Sequence, residues 1–596
     1  MKISKILVAN RSEIAIRVFR AANELGIRTV AIWAEEDKYA LHRFKADESY
    51  QVGRGPQLAR DLGPIESYLS IEEVIRVAKL SGADAIHPGY GLLSESPEFA
   101  EACAAAGITF IGPTPETMRR LGNKVAAREL AVEVGVPVVP ATGPLPDDME
   151  AVRKLAEGIG YPLMLKASWG GGGRGMRAIR KAEDLAREGT EAKREAKAAF
   201  GKDEVYLEKL VERARHVEVQ VLGDTHGNAV HLFERDCSIQ RRNQKVVERA
   251  PAPYLADAQR AELCGHALKI ARATAYVGAG TVEFLQDADT GAFYFIEVNP
   301  RIQVEHTVTE EVTGIDIVKA QIHILEGAAI GTPQSGVPAQ AAIRLNGHAL
   351  QCRITTEDPE PNFIPDYGRI TAYRGATGFG IRLDGGTAYS GAVITRYYDP
   401  LLEKVTAWAP TAAEAARRMD RALREFRIRG VATNLTFLEA IINHPAFRDC
   451  TYTTRFIDTT PELFTQVKRQ DRATRLLNYL ADVSVNGHPE ARGRAVPKAD
   501  AAPPKVPFVE AAIADGTRQR LDALGPEKFA RWMRDETRVL VTDTTMRDAH
   551  QSLLATRMRT HDIAQIAGAY ARVLPGLFSL ECWCGASFDV AMRFLT

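Results

Sequence analysis

One fourteen-residue stretch, Phe293 to His306 (F-Y-F-I-E-V-N-P-R-I-Q-V-E-H), limits what the rest of this chain can be. If it runs extended, side chains alternate between faces, so Ile296, Val298, Ile302 and Val304 point one way and Glu297, Asn299, Arg301, Gln303 and Glu305 the other. The first row is core. The second mixes carboxylates, amides and a guanidinium, the inventory for binding metals and anions. A merely solvated strand would carry Thr, Ser and Lys outward. The stretch reads as the floor of an active site.

Its partner lies just upstream. Residues 280–286 (G-T-V-E-F-L-Q) form a second extended run and Asp287 to Gly291 supply turn residues, which predicts a hairpin. A turn centred on residue 290 sets Glu283 opposite Glu297. Facing carboxylates repel unless a hard cation lies between them; Mg2+, held by one or two carboxylates plus substrate phosphates, fits that arrangement. The alternative is an ordinary hairpin with a solvated polar face.

Composition narrows the function class. At about 150 residues per domain the 596-residue chain allows roughly four domains, and 45% hydrophobic with 26% charged residues is the make-up of a soluble globular protein. Lys plus Arg and Asp plus Glu both total 76, so no global field draws the protein to nucleic acid or to an acidic membrane. Seven cysteines, odd in number and without a framework, favour a reducing compartment; Cys582 and Cys584 read as buried thiols rather than a zinc site. With no leader pattern and no apolar run near ~18 residues, a cytoplasmic location is expected.

Residues 1 to about 120 alternate strands and helices: Ile6–Ala9, a helix carrying Ile14, Val18 and Ala22, Thr29–Trp33, a helix from Ile71 to Leu80 and a strand at Ala83–Ile86. That is the rhythm of an open parallel sheet. No G-x-G-x-x-G follows the first strand, which disfavours a dinucleotide-dependent redox enzyme. H-P-G-Y-G-L-L-S-E (87–95) is either a ligand loop at a strand end or a structural turn. Lys124 falls on a helix beginning near Glu116, and Lys166 ends the apolar strand P-L-M-L-K. Four consecutive glycines, Gly170 to Gly173, then cost backbone entropy. They suit a phosphate-wrapping mobile lid, a flexible linker being the alternative; the spacing is not that of a Walker A loop.

From Val205 the runs V-Y-L-E-K-L-V, H-V-E-V-Q-V-L-G-D and A-V-H-L-F-E-R-D read as an antiparallel sheet, with Glu208 and Lys209 ending the first where an adenine edge could be met. Arg241, Arg242 and Lys245 cluster without acids nearby in sequence, which suits an anion or a solvated face.

K-A-S-W-G-G-G-G-R-G-M-R, E-R-D-C-S-I-Q-R-R-N-Q-K, F-I-E-V-N-P-R-I-Q-V-E-H and G-H-A-L-Q-C-R-I-T-T-E-D-P (347–359) together resemble the biotin carboxylase domain of biotin-dependent carboxylases, an α/β ATP-grasp fold, over roughly residues 1–455. V-T-D-T-T-M-R-D-A-H-Q-S (541–552) and L-E-C-W-C-G-A-S-F-D-V-A-M-R-F (580–594) resemble the start of a carboxyltransferase TIM barrel, the order found in the pyruvate carboxylase family. The resemblance implies an open parallel N-terminal subdomain (1–120), an ATP-grasp lid region (121–205) and an ATP-grasp C-terminal subdomain with an antiparallel sheet (206–455). A linker and allosteric region (456–510) and an incomplete barrel (511–596) follow. Only about two of eight βα units and no A-M-K-M motif are present, so a truncated chain is expected. Its partners would be a biotin carrier domain and the remaining carboxyltransferase domain, with a homo-oligomer formed through the biotin carboxylase domain.

The resemblance also implies roles. Lys124, Lys166, the loop with Gly171, Gly172 and Gly173, Glu208, Lys209, His216 and Gln240 would contact ATP; Asn243 matches the pyruvate carboxylases, where related biotin carboxylases often have His. Glu283, Glu297 and Asn299 would form the Mg2+ (or Mn2+) and phosphate end. Lys245, Arg301, Gln303 and Val304 would hold bicarbonate, Glu305 would be the general base, and Arg353 would stabilise the biotin enolate. In the barrel segment Asp548 resembles a metal ligand and Gln551 a substrate contact, while Cys584 stands where the family usually has Gly. Arg427, Arg429 and Arg472 lie where the family binds an acetyl-CoA activator, a solvated helix face being the alternative.

The implied reaction is ATP- and bicarbonate-dependent carboxylation of biotin, free or on a carrier outside this chain, through carboxyphosphate. It is the first half of pyruvate conversion to oxaloacetate. Positioning and charge neutralisation dominate such phosphoryl transfers, and Glu305, within reach of Arg301, would stay ionised as base. The competing readings are another ATP-grasp ligase, such as a carbamoyl-phosphate synthetase, and a non-catalytic nucleotide- or acyl-CoA-binding regulatory fragment.

Overall fold

A computed structural model describes residues 2–168, 176–200, 203–360, 362–465, 472–488, 490, 505, 506, 508, 510–552 and 558–583. The chain forms two compact units, residues 1–469 and 470–596.

The first unit opens with Lys5–Val8 (β1), Arg28–Trp33 (β2), Glu48–Gln51 (β3), Ala85–His87 (β4) and Thr109–Phe110 (β5), an all-parallel sheet in the order β3-β2-β1-β4-β5. Ile6, Leu7, Val8, Val30, Ala31 and Ile32 are fully buried, as a parallel sheet covered on both faces requires. Helix Ser12–Glu24 (α1) buries Ile14, Val18 and Ala22. Helix Ile71–Ser81 (α2) starts where Ser70 Oγ accepts from Glu73 N and stops at Gly82, whose φ is +66°. The single helix expected to carry Lys124 is two helices, Pro115–Gly122 and Lys124–Glu133, because the Asn123 side chain caps the second by accepting from Val125 N and Ala126 N.

Leu163–Ala167 (β6), Arg177–Ile179 (β7) and Val205–Lys209 (β8) make a small antiparallel sheet, β7-β6-β8. With helices Met149–Ile159 and Leu185–Phe200 it has its own core of Val152, Leu163, Leu165, Ile179 and Leu207. The glycine loop, including Gly171, Gly172 and Gly173, lies outside the described residues.

An eight-stranded antiparallel sheet supports the site. Its strands are Ala214–Gly223 (β9), Ala229–Arg241 (β10), Gln244–Ala250 (β11), Gly278–Asp287 (β12), Phe293–Asn299 (β13), His348–Thr355 (β14), Ile381–Gly385 (β15) and Leu401–Ala409 (β16), in the order β13-β12-β9-β10-β11-β14-β16-β15. In β9, Val217, Val219 and Val221 enter a core cluster, so Glu218 and Gln220 point to the other face.

The β12–β13 hairpin puts Glu283 opposite Glu297, as expected, but by a different route. Near the turn the register runs Gln286 to Phe293, Leu285 to Tyr294 and Phe284 to Phe295; a bulge then leaves Ile296 without an opposite residue and restores the Glu283–Glu297 pairing. The extended reading of Phe293–His306 fails after Asn299. Pro300 has no N–H to offer, Arg301 N turns back to Asn299 O at 2.8 Å, and helix His306–Thr313 begins with Glu305 at its N-cap position. Gln303 and Glu305 are buried by a turn, not by strand alternation.

In the second unit, helices Arg472–Asn486 and Thr517–Asp535 precede a parallel pair, Thr542–Asp543 (β17) and Ser579–Leu580 (β18), connected through helix Thr560–Val573. The strand expected at Val539–Thr542 is displaced toward Asp543, leaving Val539 89% exposed. Among the described residues no helix is long and apolar enough to cross a membrane.

Candidate active site

The β10–β11 hairpin turns on Arg242 (φ +48°) and Asn243 (φ +63°). A two-residue turn of this hand demands left-handed conformations that Asn tolerates, which accounts for Asn243 by backbone shape alone. In register, Gln240 faces Lys245 and Arg241 faces Gln244. Lys245 thereby turns inward and Arg241 outward onto the Phe363 ring, 3.9 Å from its centre. The expectation of a cationic cluster without acids is therefore corrected for Lys245. Its Nζ donates to Glu283 Oε1 at 2.8 Å, to Glu305 Oε1 at 2.7 Å, and to Glu218 Oε2. Sequence distance concealed acids that the sheet brings to one point.

Beneath this lies Arg235, fully buried. Its Nε donates to Glu218 Oε1 (2.6 Å), Nη1 to Gln220 Oε1 (2.7 Å) and Thr309 Oγ1 (3.1 Å), and Nη2 to Gln303 Oε1 (2.7 Å) and Thr281 Oγ1 (3.1 Å). All five N–H donors of a guanidinium have geometric roles of this kind; here three nitrogens tie β9, β12 and the Gln303 turn together. Sequence reasoning passed over Arg235, Glu218 and Glu248. The available signal was charge inside otherwise apolar strand runs, H-V-E-V-Q-V-L, L-F-E-R-D and K-V-V-E-R.

Arg353, on β14, spans two acids: Nε donates to Glu248 Oε1 at 2.5 Å and Nη2 to Glu305 Oε2 at 2.9 Å. Glu305 is thus held between Lys245 and Arg353. Arg301 is not its partner. Arg301 Nε donates to Glu95 Oε1 at 2.8 Å and Nη2 to Asn299 Oδ1 at 3.1 Å, since the turn at Pro300 points it toward the 87–95 loop. In that loop Gly89, at φ +65°, could not carry a Cβ, which would stand 2.8 Å from Asn10 Nδ2. The Asn10 amide needs that space to donate to Pro88 O and Tyr90 O.

The charges explain one another. Burial pushes the Glu305 carboxyl up, but Lys245, Arg353 and Arg235 outweigh it and hold it well below the usual carboxylate range. Burial acts on Glu283 in the same way and is outweighed by Lys245 and His216. Lys245 loses hydration, which pulls its pKa down, yet Glu218, Glu283 and Glu305 drive it well above an ordinary lysine. Glu248 differs: burial, with Glu305 adding to it, leaves its carboxyl raised despite Arg353.

At the other end of the hairpin, Lys124 Nζ is 3.0 Å from Glu297 Oε2. Asn299 Nδ2 and Gln303 Nε2 each donate to Glu283 Oε1 at 2.9 Å. His216 Nε2 is 3.1 Å from Glu283 Oε2. Lys166 pairs with Glu208. Lys209 Nζ donates to the Gly160 and Tyr161 carbonyls at 3.0 and 2.9 Å, and Gln240 Nε2 to Cys237 O at 2.8 Å. The Val304 carbonyl accepts from Lys404 Nζ at 2.9 Å.

Ligand atoms of His216, Glu218 and Glu283 lie within 4.8 Å of one another, as do those of Glu218, Cys237 and Glu305. Burial pushes the Cys237 thiol well up, so it stays protonated and is no ligand for a hard cation. The oxygen donors Glu283, Glu297 and Asn299 do suit Mg2+.

In the second unit Asp548 lies half-buried in the turn Thr545–Ala549, beside an Arg547–Glu581 ion pair of 2.6 Å. The side chains of Gln551 and Arg472, and the whole of Cys584, lie outside the described residues. In the first unit Arg427–Arg429 pairs with Ala372–Arg374 at the surface.

Three family models match: "Biotin carboxylase, N-terminal domain" over residues 2–118, "Carbamoyl-phosphate synthase L chain, ATP binding domain" over 123–332, and "Biotin carboxylase C-terminal domain" over 351–459. Among curated proteins, the pyruvate carboxylase of Bacillus subtilis is 52% identical over 593 residues, and the human mitochondrial pyruvate carboxylase 50% over 602. Both cover 100% of this chain, which spans about half of their length (51% and 50%). Among solved structures, a Rhizobium etli pyruvate carboxylase variant with the allosteric activator acetyl coenzyme-A is 80% identical, with a TM-score of 0.77 over 100% of this chain and 52% of that one. The biotin carboxylase domain dimer of Hydrogenobacter thermophilus 2-oxoglutarate carboxylase, in complex with MgADP and bicarbonate, is 45% identical, with a TM-score of 0.74 over 78% of this chain and 100% of that one.

Proposed function

Since the chain belongs to the biotin carboxylase family, we propose that its first unit carboxylates biotin with ATP and bicarbonate through carboxyphosphate, the first half-reaction of a pyruvate carboxylase. The carrying observation is Glu305, a buried carboxylate gripped by Lys245 on one oxygen and Arg353 on the other.

Bicarbonate is a poor nucleophile that must lose a proton while held in line with the γ-phosphorus. Lys245, Arg301 and the Gln303 amide supply the anion contacts. Before substrate arrives, Glu305 is too well neutralised to be a strong base. An anion that draws on Lys245 takes positive charge away from Glu305 and raises its basicity, while Arg301, released from Glu95, would bind the same anion. The bicarbonate oxygen then bonds to phosphorus as its proton passes to Glu305 and the bond to ADP breaks. Carboxyphosphate splits into CO2 and phosphate, the phosphate takes the ureido N–H proton of biotin, and that nitrogen attacks CO2. The charge developing on the ureido oxygen faces a fixed cation, Arg353.

Lys124, Lys166, Glu208, Lys209, His216, Gln240, Asn243 and the Gly171–Gly173 loop would surround ATP, with Lys124 and Lys166 passing from Glu297 and Glu208 to phosphate oxygens. Glu283, Glu297 and Asn299 would hold Mg2+, which supplies neutralisation of the phosphate charge. Residues 511–596 would be the start of a carboxyltransferase barrel, a reading supported by the parallel β17–β18 pair and its connecting helix, with Asp548 as a metal ligand. A carrier domain, pyruvate as final acceptor, assembly through the first unit and acetyl-CoA near Arg427 and Arg429 complete the proposal. The related structures with acetyl coenzyme-A and with a domain dimer support it.

The test is bicarbonate-dependent ATP cleavage with free biotin added, for the chain and for Glu305→Ala. Stimulation by biotin and its loss in Glu305→Ala are expected. Cleavage indifferent to both would sink the mechanism, and cleavage indifferent to biotin alone would favour another ATP-grasp ligase.

A further inference from the structure

Lys245 and Arg353 hold the Glu305 side chain, but a different group holds the backbone that carries it. Lys404 has no solvent exposure. Its Nζ donates to the Val304 carbonyl at 2.9 Å, one residue before Glu305, and lies 3.0 Å from Glu13 Oε2. Register explains the placement. Lys404 on β16 stands opposite Arg353 on β14 and, on its other side, opposite Asp384 on β15. Directly opposed residues of antiparallel strands share a face, so Arg353 and Lys404 rise side by side under the Gln303–His306 turn. The first takes the Glu305 carboxylate and the second the preceding carbonyl.

An ammonium with no access to water is costly to bury and is kept only where paired and hydrogen-bonded. Glu13 and Asp384 balance its charge; Glu13 in turn accepts from the Tyr90 hydroxyl of the 87–95 loop, and Asp384 is bound by Arg382 at 2.8 Å. An apolar side chain would fill this space more cheaply. What it could not do is grip a carbonyl in a fixed direction.

Resting on the reaction proposed above, we propose that Lys404 is a positioning residue of biotin carboxylation: by clamping the Val304 carbonyl it fixes the direction in which Glu305 leaves the turn, and hence the distance between base and bicarbonate. A displacement of about 1 Å at such a base costs on the order of 100-fold in rate.

The experiment compares the full chain with Lys404→Met, measuring kcat and KM for bicarbonate and for ATP together with the melting temperature. The role predicts a loss of about 10- to 100-fold in kcat/KM for bicarbonate, with the KM for ATP held within about twofold. Unchanged bicarbonate constants would overturn it. So would a KM for ATP raised as much as that for bicarbonate, together with a lowered melting temperature, which would mark a role in folding alone. If Lys404→Met does not fold, Lys404→Gln, which keeps an N–H for the carbonyl without the charge, should largely retain kcat/KM for bicarbonate, and a loss of about 10-fold or more would overturn the role. A wild-type chain lacking bicarbonate-dependent cleavage would instead refute the reaction itself.

Discussion

Glu283 and Glu297 stand opposite each other in the β12–β13 ladder, yet each carboxylate meets a different lysine: Glu283 Oε1 is 2.8 Å from Lys245 Nζ, and Glu297 Oε2 is 3.0 Å from Lys124 Nζ. The repulsion that facing acids would cause is met by two cations from separate elements. In the proposed reaction Lys245 would serve the bicarbonate end and Lys124 the nucleotide end, and the pair would mark the seam between the two substrates.

If a hard cation joins that seam, Glu297→Gln should raise the Mg2+ concentration needed for half-maximal ATP cleavage by about tenfold, as loss of a charged ligand implies. The bicarbonate KM at saturating Mg2+ should move far less. A magnesium titration of cleavage rate checks this, and an unchanged midpoint would place the cation elsewhere.

Arg353→Met should separate the two chemical steps. Loss of a preorganised group facing a developing oxyanion costs about 100- to 1000-fold, so biotin carboxylation should fall by that order. Cleavage of ATP in the absence of biotin should fall less, because Lys245 still holds Glu305. Equal losses with and without biotin would remove Arg353 from the second step.

Arg235→Met tests the foundation under the site. It strips Glu218 of one of its two cationic partners in a fully buried setting, a change that costs about 3–5 kcal/mol. Chemical denaturation of the first unit should register a clear fall in midpoint; a shift equivalent to less than about 1 kcal/mol would show that Lys245 alone compensates Glu218.

Acid sensitivity should come from histidines buried neutral. Burial pushes His42 and His87 down to about 4 and His306 down to about 3. Below an unfolded value near 6.5 the unfolded chain binds protons that the folded one refuses. Stability is therefore fully present above that pH and lost as pH falls toward 4. The slope is about 1.4 kcal/mol per pH unit for each histidine, hence roughly 4 for the three near pH 5. Denaturation midpoints between pH 7 and 5 measure it; a flat profile would mean that these rings are protonated in the fold.

Much of this protein was legible in its residues. Period-two and helical patterns placed β1, β2 and α2 within a residue or two and picked out the buried face of α1, and the hairpin arithmetic paired Glu283 with Glu297 even though its turn centre was misplaced and a bulge made up the difference. The motif residues Lys245, Gln303, Glu305 and Arg353 do converge. Local sequence could specify them because a strand's period and a proline's missing N–H act over a few residues. Contacts between distant segments were not legible. That Lys245 meets three acids from β9, β12 and the Glu305 turn, that Arg301 pairs with Glu95 and not Glu305, and that Arg235 and Lys404 carry the site from below all depend on which strands lie side by side. Sheet order and register set those neighbours, and they are fixed by burial summed over the whole eight-stranded sheet rather than by any one segment. The sequence by itself determined the motif groups Lys245, Gln303, Glu305 and Arg353; only the tertiary structure added Arg235, Glu218, Glu248 and Lys404 to them and decided which charge answers which.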